Sequence, residues 1–482
     1  LKRLHSYHFP IPHGFILTSE LFRRRKAIWS YNELGRDVLQ IIHQGVRNLE
    51  HKAGRRLGNP DDPLLLSVRS GAAISMPGAM NTFLNVGVND EIVERFAKKP
   101  GYAWCAWDSY RRFLQIWGMA NHMPRDAFDE VIIDFKASTG VEHKMQFSPA
   151  QMRELALAYK GLMLDAGVHL EEDPHKQVVQ AILSVFDSWY GERAKVYRRQ
   201  LQIADEWGTA VIVQAMVVGN IGRDSGTGVV FTRDPMASTA KVELYGDFTI
   251  RSQGEDVVAG LVHTLPVSER QRQRVFGGDV SLENHFPEIF DELQSRARDR
   301  GEVRGYGHQE MEFTFESPRR EDLFILQTRN YAPHQKERSP VFVAEGIELQ
   351  VLGRGIGVGG GAMNGVVAFD MEDLERFVAS MPETPRILVR PDTVPDDIGM
   401  IFECDGLLTA RGGATSHAAV TASRLGKTCV VNCRVLDVDD DSKTCSIAGK
   451  RFKSGDPIAI DGRLGTIYSV HHEIGLASID AP

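Results

Sequence analysis

One histidine in this sequence stands where a covalently bound phosphoryl group can be held. His417 follows Gly412-Gly413 and Thr415-Ser416, the glycines come just after an apolar, strand-like run at 406–408, and alanine-rich sequence follows. The two hydroxyl residues occupy the place where a helix needs its N-cap. An imidazole at such a junction meets unpaired first-turn N–H groups and the positive end of the helix dipole. Both favour a side chain that becomes anionic on phosphorylation. The spacing therefore points to a nucleophilic histidine carrying a phosphoryl group. A histidine packed at a helix start is the structural alternative.

Three upstream groups have the chemistry of a nucleotide site. Arg69 closes an apolar run and precedes the loop Gly71 to Thr82, which includes Gly78. Glycines let the backbone approach phosphate, and arginine offers a planar fork to its oxygens. Gln214 and Met216 end a strand before a Gly/Asp/Ser turn at 219–228, where they can line an adenine slot. Glu310 and Glu312 share one face of a strand, and Gln327 lies on the next strand, so two carboxylates and an amide can converge on Mg²⁺. Each group taken alone has a plainer reading: a strand exit, a β-hairpin and an exposed strand face.

The elements that must position these residues alternate between helix and strand. Residues 31–52 carry helical spacing, and 63–68 form an apolar run expected to be a buried strand. Residues 91–202 read as helical throughout. Within them Trp104, Trp107, Tyr110, Phe113 and Trp117 make one apolar face, read as helix–helix core in preference to a ligand platform. Residues 148–164 and 174–200 repeat the amphipathic pattern, and Arg193, Arg198 and Arg199 are expected mostly on a solvated face, with one of them able to reach an anion. From residue 208 the period becomes two, with strands at 210–218, 229–235, 310–315 and 323–328 and a charged helical stretch at 268–300. After a polar break at 331–342, strand-like segments recur at 386–390, 405–409, 428–432, 457–460 and 466–470. The expected organisation is a domain at 1–332 with a helical subdomain at about 91–202, a linker at 333–342 and a second domain at 343–482.

Composition sets the class. With 482 residues, 42% hydrophobic, 25% charged and 45 glycines, the chain has the make-up of a globular protein of several domains. Its net charge of −8 and lack of a dense basic tract argue against nucleic acid as a partner. No apolar run approaches the length of about 18 residues that spans a membrane, so no membrane association is expected. Five cysteines without a CxxC pair fit a reducing cytoplasm, with Cys429 and Cys433 read as strand core.

Taken together, the segments resemble the pyruvate, phosphate dikinase and phosphoenolpyruvate synthase family. The matching stretches are Ser67-Val-Arg-Ser-Gly-Ala72 with Ser75-Met-Pro-Gly78, Gly208 through Gln214, and Ser225-Gly-Thr-Gly-Val-Val-Phe-Thr-Arg-Asp-Pro235. Gln253-Gly-Glu-Asp-Val-Val-Ala-Gly260, Glu312-Phe-Thr with Leu326-Gln-Thr-Arg329, and residues 408–420 around His417 complete the set. The resemblance implies an α/β (α+β) chain: an ATP-grasp nucleotide domain, then a swivelling phosphohistidine domain. It implies that ATP phosphorylates His417 while inorganic phosphate takes the terminal phosphoryl, giving AMP and pyrophosphate. By position, Arg69 binds ATP phosphates, Gly78 to Thr82 covers them, and Gln214 and Met216 lie at the adenine edge. Glu310, Glu312 and Gln327 belong to the Mg²⁺–ATP site, with Glu310 where the family usually has Asp. Thr415 matches a regulatory phosphorylation site of some members.

The pattern also departs from the family. The sequence stops at Pro482, before any counterpart of the pyruvate-binding barrel, and starts downstream of the family's Gly-Gly-Lys-Gly motif. Asn81 and Ala73 stand where the family more often has Asp and Arg, and the connector between domains is shorter. The expectation is the ATP half-reaction on this chain, with the phosphoryl group passed to pyruvate or another acceptor on a separate barrel protein. Transfer to water or a small molecule, and an ATP-binding regulatory or scaffold role without turnover, are the alternatives.

Overall fold

Apolar residues at alternate positions of 211–215 and the apolar run before Arg69 give two strands that pair edge to edge in one sheet. In the computed structural model the described residues are all of the chain except 1, 29–34, 73, 75, 77, 142, 234–240, 255–263, 274–279, 300–306, 331–337, 344–348, 394–396, 414–415, 441 and 479–482. Two compact units result: Pro12–Gly222, and Leu1–Ile11 together with Arg223–Pro482.

In the first unit, β1 (Gly14–Leu17), β2 (Leu66–Ser70), β3 (Thr82–Val86) and β4 (Val211–Ala215) form an antiparallel sheet in the order β1-β4-β2-β3. Its helices are α1 (Ser19–Ile28), α2 (Arg36–Ala53), α3 (Asp90–Phe96), α4 (Ala103–Ala120), α5 (Arg125–Thr139), α6 (Pro149–Asp165), α7 (Pro174–Ser188) and α8 (Glu192–Gln200). In α2 the spacing of Val38, Ile42, Val46 and Leu49 buries one stripe, and Gly54 stops the helix in the left-handed region. A capping box between Ser148 and Gln151, with Pro149 at the first position, starts α6.

Two expectations for this unit are corrected. The aromatic residues of α4 are core, but the helix is buried nearly all round, so Asp108, Arg111 and Arg112 are inside with them. Their charges are tolerated because they meet one another. Asp108 accepts from Arg111 and Arg112 at 3.0 and 2.9 Å and from Asn220 at 2.9 Å, and Lys144 lies 3.4 Å away. The amphipathic stretch 174–200 is two helices, broken at residues 189–191. There the Trp189 ring is buried and its indole N–H donates to the Asp205 carbonyl at 3.0 Å. Of the three arginines expected mostly in solvent, Arg198 is buried and reaches an anion. It donates to Asp205 at 2.8 Å and to the Trp189 carbonyl, with its guanidinium 4.7 Å from the Trp189 ring.

The second unit holds β5 (Gly226–Phe231), β6 (Tyr245–Ile250), β7 (Leu265–Pro266), β8 (Gln309–Phe315) and β9 (Leu323–Asn330), an antiparallel sheet in the order β7-β6-β5-β8-β9. Helix α9 (Pro287–Arg298) lays Ile289, Phe290 and Leu293 against Phe248, Met311, Phe313 and Phe315. Gly228 makes room for this layer, because a Cβ there would come within 2.7 Å of the Phe313 ring. The stretch 268–300 is interrupted. Among the described residues its helical turns are Glu269–Gln271, Leu282–His285 and α9, which Pro287 opens.

The same unit contains β10 (Arg338–Phe342), β11 (Gly353–Arg354), β12 (Ile356–Gly359), β13 (Ala362–Ala368), β14 (Arg386–Arg390), β15 (Gly406–Thr409), β16 (Thr428–Val431), β17 (Leu436–Asp439), β18 (Thr444–Ile447), β19 (Lys450–Lys453), β20 (Pro457–Asp461), β21 (Thr466–Tyr468) and β22 (Ile474–Ser478). Eight of them form one sheet in the order β11-β21-β20-β13-β14-β15-β16-β12. Strands β13 to β16 are parallel, and α10 (Met371–Ser380), α11 (Ile398–Glu403) and α12 (His417–Arg424) carry the chain between them. Such strands are covered on both faces, which is why Ile387, Val389, Leu408 and Val430 are fully buried. Cys429 and Cys433 are buried in this layer, as expected of strand core, and all five cysteines are free. The chain is thus α/β in class. Among the described residues no helix is long and apolar enough to cross a membrane.

Candidate functional site

The histidine segment leaves the carboxyl end of β15 without losing its hydrogen bonds. Ala410 N–H donates to the Arg390 carbonyl at 3.2 Å and Arg411 N–H to the Pro391 carbonyl at 2.9 Å, so the pairing with β14 continues past the strands. Gly412 then takes φ 102°, a conformation that a side chain would strain. The Gly413 carbonyl accepts Ser416 N–H at 3.1 Å, and Ser416 Oγ accepts Ala419 N–H at 3.4 Å. Ser416 is therefore the N-cap, and His417 is the first residue of α12. Thr415 lies outside the described residues.

This segment touches the five-stranded sheet. A Cβ placed on Gly413 would lie 2.5 Å from Asp247 Oδ2 and 3.2 Å from Thr264 Oγ1. Asp247 is fully buried at the centre of β6 and accepts from the Thr264 hydroxyl at 3.2 Å. The backbone of the histidine loop thus rests on a buried carboxylate of that sheet. Sequence reasoning missed Asp247; the available signal was an acidic residue in the middle of an otherwise apolar strand.

Two strands away in the same sheet, β8 and β9 set acidic and polar side chains directly opposite one another. Glu310 pairs with Arg329 and Glu312 with Gln327. Arg329 Nη1 donates to Glu310 Oε1 at 2.9 Å, and its Nη2 lies 3.3 Å from Glu312 Oε1. Gln327 Nε2 donates to the same Glu312 oxygen at 3.2 Å. The structure brings Glu310, Glu312 and Gln327 together, with Arg329 joining them. Arg329 was given no role from sequence, although it stands two residues from Gln327 and so on the same strand face. Near the start of β8, burial and the nearby Arg233 hold His308 below the usual imidazole range.

Arg329 is set against both carboxylates of this face. Mg²⁺ is commonly held by one or two carboxylates and completed by phosphate oxygens and water. The donor set fits that mode. Among the described residues no group of three or more His, Cys, Asp or Glu forms a cage that would hold a metal by itself.

In the unit Pro12–Gly222, Arg69 lies on β2 between Thr82 of β3 and Ile212 of β4. Its Nη2 donates to Gln214 Oε1 at 2.9 Å, while Gln214 Nε2 donates to the Pro12 carbonyl at 2.9 Å. Gln214 is buried, so its amide orients Arg69. Met216 is half-buried, and its N–H donates to the Leu65 carbonyl. Gly78 has φ 68°, and its carbonyl accepts from Arg193 at 3.4 Å. Asn81 fastens the loop to α7, its N–H donating to Ser188 Oγ at 3.1 Å and its amide to Ser184 Oγ at 3.0 Å. Thr82 is exposed at the start of β3; Ala73 and Ser75 lie outside the described residues.

Comparison with known proteins agrees with these segments. Residues 25–285 match the family model described as pyruvate phosphate dikinase, AMP/ATP-binding domain, and residues 382–465 match the PEP-utilising enzyme, mobile domain. The chain is 36% identical over 510 residues to the pyruvate, phosphate dikinase of Clostridium symbiosum, covering 98% of this chain and 55% of the relative. It is 37% identical over 494 residues to the chloroplastic pyruvate, phosphate dikinase of Flaveria pringlei, covering 97% and 50%. With that of Rhizobium meliloti (strain 1021) it shares 36% identity over 495 residues, covering 95% and 54%. The chain spans about half the length of the curated relatives it matches.

Proposed function

We propose that this chain, which belongs to the pyruvate, phosphate dikinase family, uses ATP and inorganic phosphate to phosphorylate its own His417. An imidazole nitrogen of His417 forms an N–P bond to the β-phosphorus of ATP, and the bond from that phosphorus to the α,β-bridging oxygen breaks and leaves AMP. An oxygen of inorganic phosphate then bonds to the γ-phosphorus as its bond to the β,γ-bridging oxygen breaks, which releases pyrophosphate and leaves the β-phosphoryl group on His417. The phosphoryl group on His417 is then passed to pyruvate or another acceptor on a barrel domain or protein.

The observation that carries this reading is the contact of Gly413 with Asp247, which sets the histidine loop on the sheet that also bears Glu310, Glu312 and Gln327. We assign Arg69 to the ATP phosphates, Gly78 to Thr82 to their cover, and Gln214 with Met216 to the adenine edge, Gln214 also holding the Arg69 fork. Glu310, Glu312 and Gln327 would hold Mg²⁺, which supplies charge neutralisation on the phosphate oxygens when bound. Arg329 keeps the two carboxylates on one face. First-turn amides of α12 favour the anionic phosphohistidine over neutral histidine. Residues 1–332 form the nucleotide-binding part and 343–482 the phosphohistidine part, joined at 333–342. Cytoplasmic residence suits the five free thiols.

The test is product balance. In the presence of Mg²⁺, ATP and phosphate the chain should release AMP and pyrophosphate, one for one, in an amount limited by His417. Release of ADP instead, or no pyrophosphate when phosphate is supplied, would exclude the dikinase reading.

A further inference from the structure

The histidine-bearing sheet has a second polar feature, at the carboxyl end of β16. A groove of about 420 Å³ is lined by residues 351–356 and by Asn432, Arg434 and Val435. That volume is in the range of small-molecule sites, about 300–1,000 Å³. The chain builds the groove by close backbone approach. Gly355 fits only as glycine, since a Cβ there would lie 2.4 Å from the Val431 carbonyl. Asn432 turns the chain off β16 at φ 57°, and Cys433 N–H donates to the Thr409 carbonyl at 3.0 Å. The groove is therefore at the same edge of the sheet as the strand end from which the histidine loop departs, and in sheets of this kind ligands bind outside the carboxyl ends of parallel strands.

Two guanidinium groups, Arg354 and Arg434, line it. Both are exposed, and among the described residues neither makes an ion pair or a side-chain hydrogen bond. Elsewhere on this sheet arginines are spent on carboxylates: Arg386 on Asp405 at 2.8 Å, Arg390 on Asp440 at 2.9 Å and Arg411 on Asp392 at 3.3 Å. Two unspent cations facing one cavity repel each other, and an anion between them removes that cost. Val351, Leu352, Ile356 and Val435 supply apolar wall beside the charged rim.

From this geometry we propose that the groove binds a small organic anion, with a phosphate or carboxylate head between Arg354 and Arg434 and an apolar body against Val351, Leu352, Ile356 and Val435. Arginine suits either head because its fork matches both oxyanions. None of the lining residues is among those assigned to ATP, so the proposal predicts binding that does not depend on Arg69.

Calorimetric titration of the full chain with phenyl phosphate, and in a parallel arm with benzoate, tests the proposal. Wild type and Arg69→Ala should bind with the same affinity. The Arg354→Ala/Arg434→Ala variant should lose at least about tenfold, one unit in log Kd, with an unchanged melting temperature, since both side chains are exposed. Arg354→Lys/Arg434→Lys should fall between, keeping charge without the fork. Binding of phenyl phosphate alone assigns the head as phosphate, benzoate alone as carboxylate, and both as either oxyanion. Equal affinity in wild type and the alanine variant, loss in Arg69→Ala, or no heat from either probe at millimolar concentration overturns the site. Labelling of His417 from ATP should be the same in the alanine variant as in wild type. A failure of labelling in wild type would bear on the dikinase reading and leave this titration intact.

Discussion

Gly413 and Asp247 meet so closely that no side chain fits between them: a Cβ on Gly413 would lie 2.5 Å from Asp247 Oδ2. Asp247 is buried and held by Thr264, so the carboxylate cannot swing away at low cost. Gly413→Ala should therefore lift the histidine loop off the sheet and slow ATP-dependent labelling of His417 by at least about tenfold, equivalent to about 1.4 kcal/mol in the barrier. Adding Asp247→Ala to that variant should return part of the rate. A single variant that labels at the wild-type rate would mean that the contact plays no part in the transfer.

Arg329 compensates two carboxylates, one of them buried. Arg329→Leu removes the ion pair of 2.9 Å with buried Glu310, and removing one partner of a buried pair costs about 3 kcal/mol. Urea denaturation of Arg329→Leu, Glu310→Gln and the double variant measures this directly. The double variant should be more stable than the sum of the single losses predicts. Strict additivity would show that the two side chains do not interact.

Gln214 carries no charge, yet it should matter for ATP. Gln214→Leu keeps the buried volume while releasing Arg69 from a hydrogen bond of 2.9 Å. A hydrogen bond to a charged group contributes about 1.5–3 kcal/mol, so the KM for ATP should rise about tenfold or more. The labelling rate at saturating ATP should change less, because Arg69 keeps its place on β2. The same KM in both proteins would remove Gln214 from the site.

Acid should unfold the helical unit through Asp108. Burial alone would push this carboxyl up, but Arg112, Lys144 and Arg111 outweigh it and hold it well below the usual range. The unfolded chain takes up this proton near pH 4, while the folded chain takes it up only at lower pH. The stability Asp108 contributes is therefore complete above about pH 4 and is lost as pH falls from there through the folded value. Asp108→Asn should lower stability at neutral pH and flatten the decline below pH 4, as read by chemical denaturation across pH. An acid limb as steep as that of wild type would contradict the assignment.

How far the sequence disclosed these features depended on whether they are local. Strand β14 was legible to the residue because a continuous apolar triplet, Ile387 to Val389, stands between Arg386 and Arg390, and Ser416 as a cap follows from local hydrogen bonding alone. Glu310 and Glu312 were legible because strand periodicity fixes their common face, whereas the place of Gln327 opposite Glu312 depends on the pairing of β8 with β9. The break between α7 and α8 was not, since it depends on the Trp189 ring finding Asp205, a partner beyond the helix. Arg198 read as surface for the same reason: its partners, Asp205 and the Trp189 carbonyl, lie outside its own helix. The Gly413–Asp247 contact joins residues far apart in sequence, and no spacing rule reaches it.

The central claim is that His417 carries the phosphoryl group. Incubating the chain with Mg²⁺, phosphate and ATP labelled at the β-phosphoryl group, then assaying protein-bound label after acid and after base, tests it most directly. The account predicts acid-labile, base-stable label on wild type and none on His417→Ala. Label that survives the substitution, or wild-type protein that stays unlabelled under these conditions, would contradict it.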